Sequence, residues 1–89
     1  MQSYYKYILF YRYPGENVAR AFQFNDWQQY WNACNLGAIC LDVFKANGFA
    51  RSLCSQVNTH PADISTEHYR LLVNDHQHGQ LLSCIPDPH

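Results

Sequence analysis

A small antiparallel sheet of two hairpins, with one or two helices packed on one face in the order ββα(α)ββ, is the α+β arrangement this sequence spells out. Three observations carry it. Residues 4–13 and 18–24 alternate in side-chain character around a turn signal. Apolar residues then recur at helical spacing from Trp27. Two short apolar runs near the C-terminus flank a His- and Gly-containing turn.

The first hairpin follows from the alternation. Tyr5, Tyr7, Leu9, Tyr11 and Tyr13 point one way, and Tyr4, Lys6, Ile8, Phe10 and Arg12 the other. "PGEN" at 14–17 is the turn: Pro14 presets its φ, and Gly15 is free to take φ > 0. Val18, Arg20, Phe22 and Phe24 then alternate with Ala19, Ala21 and Gln23. A two- or four-residue loop pairs odd positions with even ones. One face then carries Tyr5, Tyr7, Leu9, Tyr11, Val18, Arg20, Phe22 and Phe24. The other sets Ile8 and Phe10 beside Ala19 and Ala21, a trough in which a helix can lie. A three-residue loop scrambles this division.

Asn25 or Asp26 caps the next helix, with Asp26 well placed at its positive end. Trp27, Tyr30/Trp31, Cys34, Ala38, Leu41 and Phe44 keep helical spacing, and Asn47-Gly48 reads as the stop. Gly37 costs about 1 kcal/mol inside a helix and marks a break or a close approach to the sheet. Residues 49–57, "FARSLCSQV", suit a short helix, although Phe49, Leu53 and Val57 also share one side of a strand. "NTHPAD" is a loop, and "HYRLLVND" and "QLLSCI" make the second hairpin. Pro86 and Pro88 exclude the tail from a sheet interior.

Composition narrows the function classes. With 89 residues, 47% apolar and 15% charged, the chain is one globular domain, 1–89, with apolar mass enough for a core. The formal charge is −1 and the basic residues are scattered singly, so the basic cluster of a nucleic-acid module is missing. The longest stretch free of formal charge, Trp27 to Leu41, is 15 residues long and contains Gln and Asn, too short and polar to span a bilayer. The N-terminus does not read as a targeting segment, and the expected location is cytoplasmic. Cys34, Cys40, Cys54 and Cys84 are read as reduced, mostly buried thiols, the alternative being two disulfides in an oxidising compartment.

Little in the chain speaks for catalysis. There is no Gly-rich phosphate loop, no G-x-S-x-G and no H-E-x-x-H, and the carboxylates are dispersed. No cofactor is implied. "NDHQHG" offers the sharpest candidate for a metal, through Asp75, His76 and His78, but a solvated hairpin loop explains the same residues. A Cys–His site has no sequence signature to set it apart from chance pairings.

Five of the seven tyrosines fall between Tyr4 and Tyr13. Several buried phenols in one core are hard to satisfy with hydrogen bonds, whereas Tyr is well suited to an exposed contact surface. The expected function is therefore binding of another protein, as an inhibitor or adaptor acting on a larger complex. Phage- or mobile-element-encoded antagonists share this size and composition, and the analogy extends no further. The expected binding residues are Tyr5, Tyr7, Tyr11, Arg20 and Phe22. A homodimeric structural or regulatory protein is the alternative, and a metal- or thiol-dependent enzyme the third reading.

Overall fold

The computed structural model describes residues 5–74 and the short strand at 81–82. The elements run β1 (Tyr7–Arg12), β2 (Arg20–Phe24), α1 (Trp27–Asn35), β3 (Ile39–Lys45), α2 (Gly48–Thr59), α3 (Thr66–Asn74) and a two-residue β4 (Leu81–Leu82). The order is ββαβαα before β4, not two hairpins flanking a helix. Strands β2, β1 and β3 form an antiparallel sheet in that spatial order, and β4 pairs with β3.

The first hairpin has the expected faces. Tyr7 pairs with Phe24, Leu9 with Phe22 and Tyr11 with Arg20, so the odd–even division holds. The Glu16 N–H donates to the Tyr13 carbonyl at 3.0 Å, with Gly15 at φ +81°. Pro followed by a positive-φ Gly is the signature of a type II turn.

The long helix expected from Trp27 to Phe44 stops at Asn35. The Ala38 N–H reaches back to Ala33 O and the Gly37 N–H to Cys34 O, both at 3.0 Å, with Gly37 at φ +111°. These are the paired bonds of a Schellman ending, which needs a residue in the left-handed region. Gly37 is thus the stop, and the chain turns back as β3. A bulge explains why β3 imitates a helix in the sequence. Phe10 pairs with Asp42 but Tyr11 with Cys40, leaving Leu41 as the extra residue. A bulge interrupts period-two alternation. Ala38, Leu41 and Phe44 consequently fall at intervals of three, which reads as helical.

Two further assignments change. Asn47 starts a helix rather than ending one: its side chain accepts the Ala50 N–H at 2.8 Å and caps α2. The helical reading of residues 49–57 agrees with α2. "HYRLLVND" is not a strand, since His68 through Asn74 lie in α3. Ser65 Oγ accepts the His68 N–H at 3.0 Å, an N-terminal cap before Tyr69 and Val73 at helical spacing. Of "QLLSCI", Leu81 and Leu82 form β4, and the remainder lies outside the described residues.

Helices cover both faces of the sheet, not one. The trough face is filled by α2 and α3: Ile8, Phe10, Ala19, Ala21 and Phe44 pack with Leu53, Val57, Tyr69 and Val73. The opposite face carries α1, whose Tyr30 packs with Leu9, Phe24 and Val43. Two cores therefore sandwich the sheet. Tyr69 ties α3 to β3 by donating its hydroxyl hydrogen to Asp42 Oδ2.

Cys34 and Cys54 are free thiols, while Cys40 is disulfide-bonded, so the reduced reading fails at Cys40. Among the described residues no helix is long and apolar enough to cross a membrane.

Candidate protein-binding surface

The α1 face of the sheet is a continuous line of rings. Asp26 starts α1 with a capping box, accepting the Gln28 N–H at 3.0 Å while Gln29 reaches back to the Asp26 N–H. This fixes the entry angle of the helix and seats Trp27 over the hairpin. Trp27 lies 4.9 Å from Tyr7 and 5.3 Å from Phe24, and Tyr30 lies 6.0 Å from Phe24, centroid to centroid. The line continues along β2 through Phe22, stacked 5.6 Å from Phe24, to Tyr11 and then Tyr13. Such spacings fall in the range where aromatic pairs attract beyond simple burial.

Exposure grades along this line. Leu9, Phe24 and Tyr30 are buried, whereas Tyr7, Tyr11, Tyr13, Phe22, Trp27 and Trp31 are half-buried. The ring contacts from α1 fall on Tyr7 and Phe24, at one end of the hairpin. At the other end Tyr13 faces Gly37 and carries the Arg20 guanidinium 5.2 Å above its ring. Arg20 is also paired with Glu16 at 3.0 Å, and both side chains are over two-fifths exposed. That pair holds the guanidinium in place and contributes little stability. Burial first, and Tyr13 next, push the Tyr11 phenol above its usual pKa.

The expected binding residues thus separate. Tyr11, Arg20 and Phe22 gather with Tyr13 at the turn end of the hairpin. Tyr7 belongs to the α1 end, packed beneath Trp27. Tyr5 is exposed ahead of β1. Tyr13 was missing from the expected set, although it shares the parity of Tyr11 and lies beside the turn. Trp31 adds an oddity: its indole Nε1 is buried without a hydrogen-bond acceptor among the described residues. An unmet buried donor costs about 1–3 kcal/mol.

The other candidates fare worse. Among the described residues no cluster of three His, Cys, Asp or Glu side chains is arranged to hold a metal. Asp75, His76 and His78 lie outside the described residues. A depression of about 210 Å³ lies between Ala19 and Ala21 on one side and Val57, Asn58 and Pro61 on the other. It is smaller than the ~300–1,000 Å³ usual for small-molecule sites. Comparison with protein-family models, curated proteins and solved structures returned no match.

Proposed function

We propose that the chain is a protein-binding module, and that its contact surface is the turn end of the hairpin formed by Tyr11, Tyr13, Arg20 and Phe22. The observation that carries this reading is the half-buried line of rings ending under a guanidinium. Binding energy at protein interfaces concentrates in Tyr, Trp and Arg anchors, because they combine large apolar area with directional hydrogen bonds. The phenols and the guanidinium ask for a partner with an apolar ridge flanked by acceptors. A carboxylate is the natural one opposite Arg20, replacing or joining Glu16. The role that suits a small chain of this kind is that of an inhibitor or adaptor acting on a larger protein.

The test is a pull-down from host lysate comparing wild type with Arg20→Glu and Tyr13→Ser, both confirmed as folded by circular dichroism. A discrete partner captured by wild type and lost by both variants supports the reading. Equal capture by all three rejects this surface.

A further inference from the structure

We infer that the free edge of β2 pairs antiparallel with β2 of a second copy, across a two-fold axis at Phe22. This goes beyond the reading above and does not depend on it.

In the spatial order β2-β1-β3, β2 pairs with a strand on one side only among the described residues. Which backbone groups face the open side can be worked out from two independent bonds. The Ala46 N–H donates to Lys6 O across β1 and β3, so even residues of β1 face β3 and odd ones face β2. Their partners Arg20, Phe22 and Phe24 therefore turn their N–H and C=O groups towards β1. Independently, the Ala19 N–H points away from β1 to Ile64 O at 2.9 Å. By parity, Ala21 and Gln23 direct their N–H and C=O groups outward, with no backbone partner among the described residues.

Both ends of this edge are closed. The Ala19–Ile64 bond and the Val18–Ser65 bridge occupy the approach before Arg20. After Phe24 the chain turns into the Asp26 cap, and Asn25 Oδ1 accepts the Lys6 N–H. The open window is centred on Phe22, and the outward residues stand one position to either side of it. Such a window is self-complementary. Ala21 of one copy exchanges both backbone bonds with Gln23 of the other, and the two-fold repeats the exchange, so every outward donor and acceptor of the pair is met. Phe22 then faces its own counterpart as a close aromatic pair, and Arg20 faces Phe24 of the second copy.

Between these closed ends, few of the usual guards stand among the described residues. Residues 20–24, "RAFQF", contain no Pro, no Lys and no bulge against β1, the usual devices against strand addition. A net charge of −1 also leaves little repulsion between copies. Pairing joins the two α1 faces, and with them the rings of both copies, into one surface. One strand pair buries less than a standard interface, so the dimer should form only at high protein concentration.

The purified chain alone provides the test. Light scattering from about 10 μM to 1 mM should show the mass rising from 10.4 kDa towards twice that value. Over the same range, the Ala21 and Gln23 amides should become protected from hydrogen exchange. Gln23→Pro removes one outward donor that the monomer does not use, and should weaken association at least tenfold, while Gln23→Ser leaves it unchanged. A mass of 10.4 kDa throughout overturns the inference, as does association without concentration-dependent protection of these two amides. Wild-type association by a folded Gln23→Pro overturns it as well. If that variant does not fold, the exchange measurement on wild type decides alone.

Discussion

Tyr69 and Arg70, adjacent on α3, both donate to one oxygen of Asp42 on β3, at 2.6 and 3.0 Å. The two bonds are not equivalent. Tyr69 is buried, while the Arg70 side chain is nearly half exposed. A hydrogen bond from a buried phenol to a carboxylate is worth about 1.5–3 kcal/mol, and a solvent-exposed ion pair about 0–1 kcal/mol. Tyr69→Phe should therefore destabilise the fold about 2 kcal/mol in urea titrations, and Arg70→Ala by less than about 1 kcal/mol. Equal losses from the two variants would show that the link is an ion pair first.

The same contact sets an alkaline limit. Burial, then the Asp42 carboxylate, hold the Tyr69 phenol in its neutral form far above the usual value of 10.0. A pKa raised on folding adds stability that is complete below the unfolded value and is lost as pH climbs beyond it. Stability of the wild type should therefore fall from about pH 10 upward, more steeply than that of Tyr69→Phe. Tyrosinate absorbance followed together with circular dichroism checks this. Tyr69 should ionise only as the helical signal disappears.

Two turn positions should respond in opposite directions. Gly37 sits at φ +111°, and a Cβ there would meet only Tyr13 Cδ1 at 3.9 Å, an ordinary contact. The cost of Gly37→Ala is thus backbone strain, about 1–2 kcal/mol lost. Ala62, at φ +71°, already bears such strain between α2 and α3. Ala62→Gly should be neutral to about 1 kcal/mol stabilising, the relief of strain being offset by chain entropy. Thermal melts of the pair read both signs.

The two free thiols should differ in reactivity. Cys54 is buried on the inner side of α2, and desolvation raises its pKa. Cys34 is half-buried near the end of α1. Brief treatment of the native protein with iodoacetamide, followed by peptide mass mapping, should label Cys34 and leave Cys54 intact until denaturant is added. Labelling of Cys54 at the same rate would mean that α2 opens readily from the sheet.

The amino-acid order by itself determined the first hairpin, its turn and its two faces, because period-two alternation around Pro14-Gly15 is a local signal. It also narrowed the cap of α1 to Asn25 or Asp26 and favoured the helix over the strand for residues 49–57. What it left undecided were features that need a partner distant in sequence. The bulge at Leu41 exists only against Phe10 and Tyr11, and without it β3 counts as more helix. The strand-like look of "HYRLLVND" yields to α3 because Tyr69 and Val73 bury against β1 and α2 while Ser65 caps the start. The tyrosine face was visible as a pattern, but its division into a part against Trp27 and a turn end at Tyr11, Tyr13 and Arg20 was decided by where α1 lands. The free edge of β2 is likewise tertiary: a strand becomes an edge only when β3 has taken the other side of β1. Local propensity and alternation act over a few residues, whereas coverage depends on which surfaces the rest of the chain has already buried.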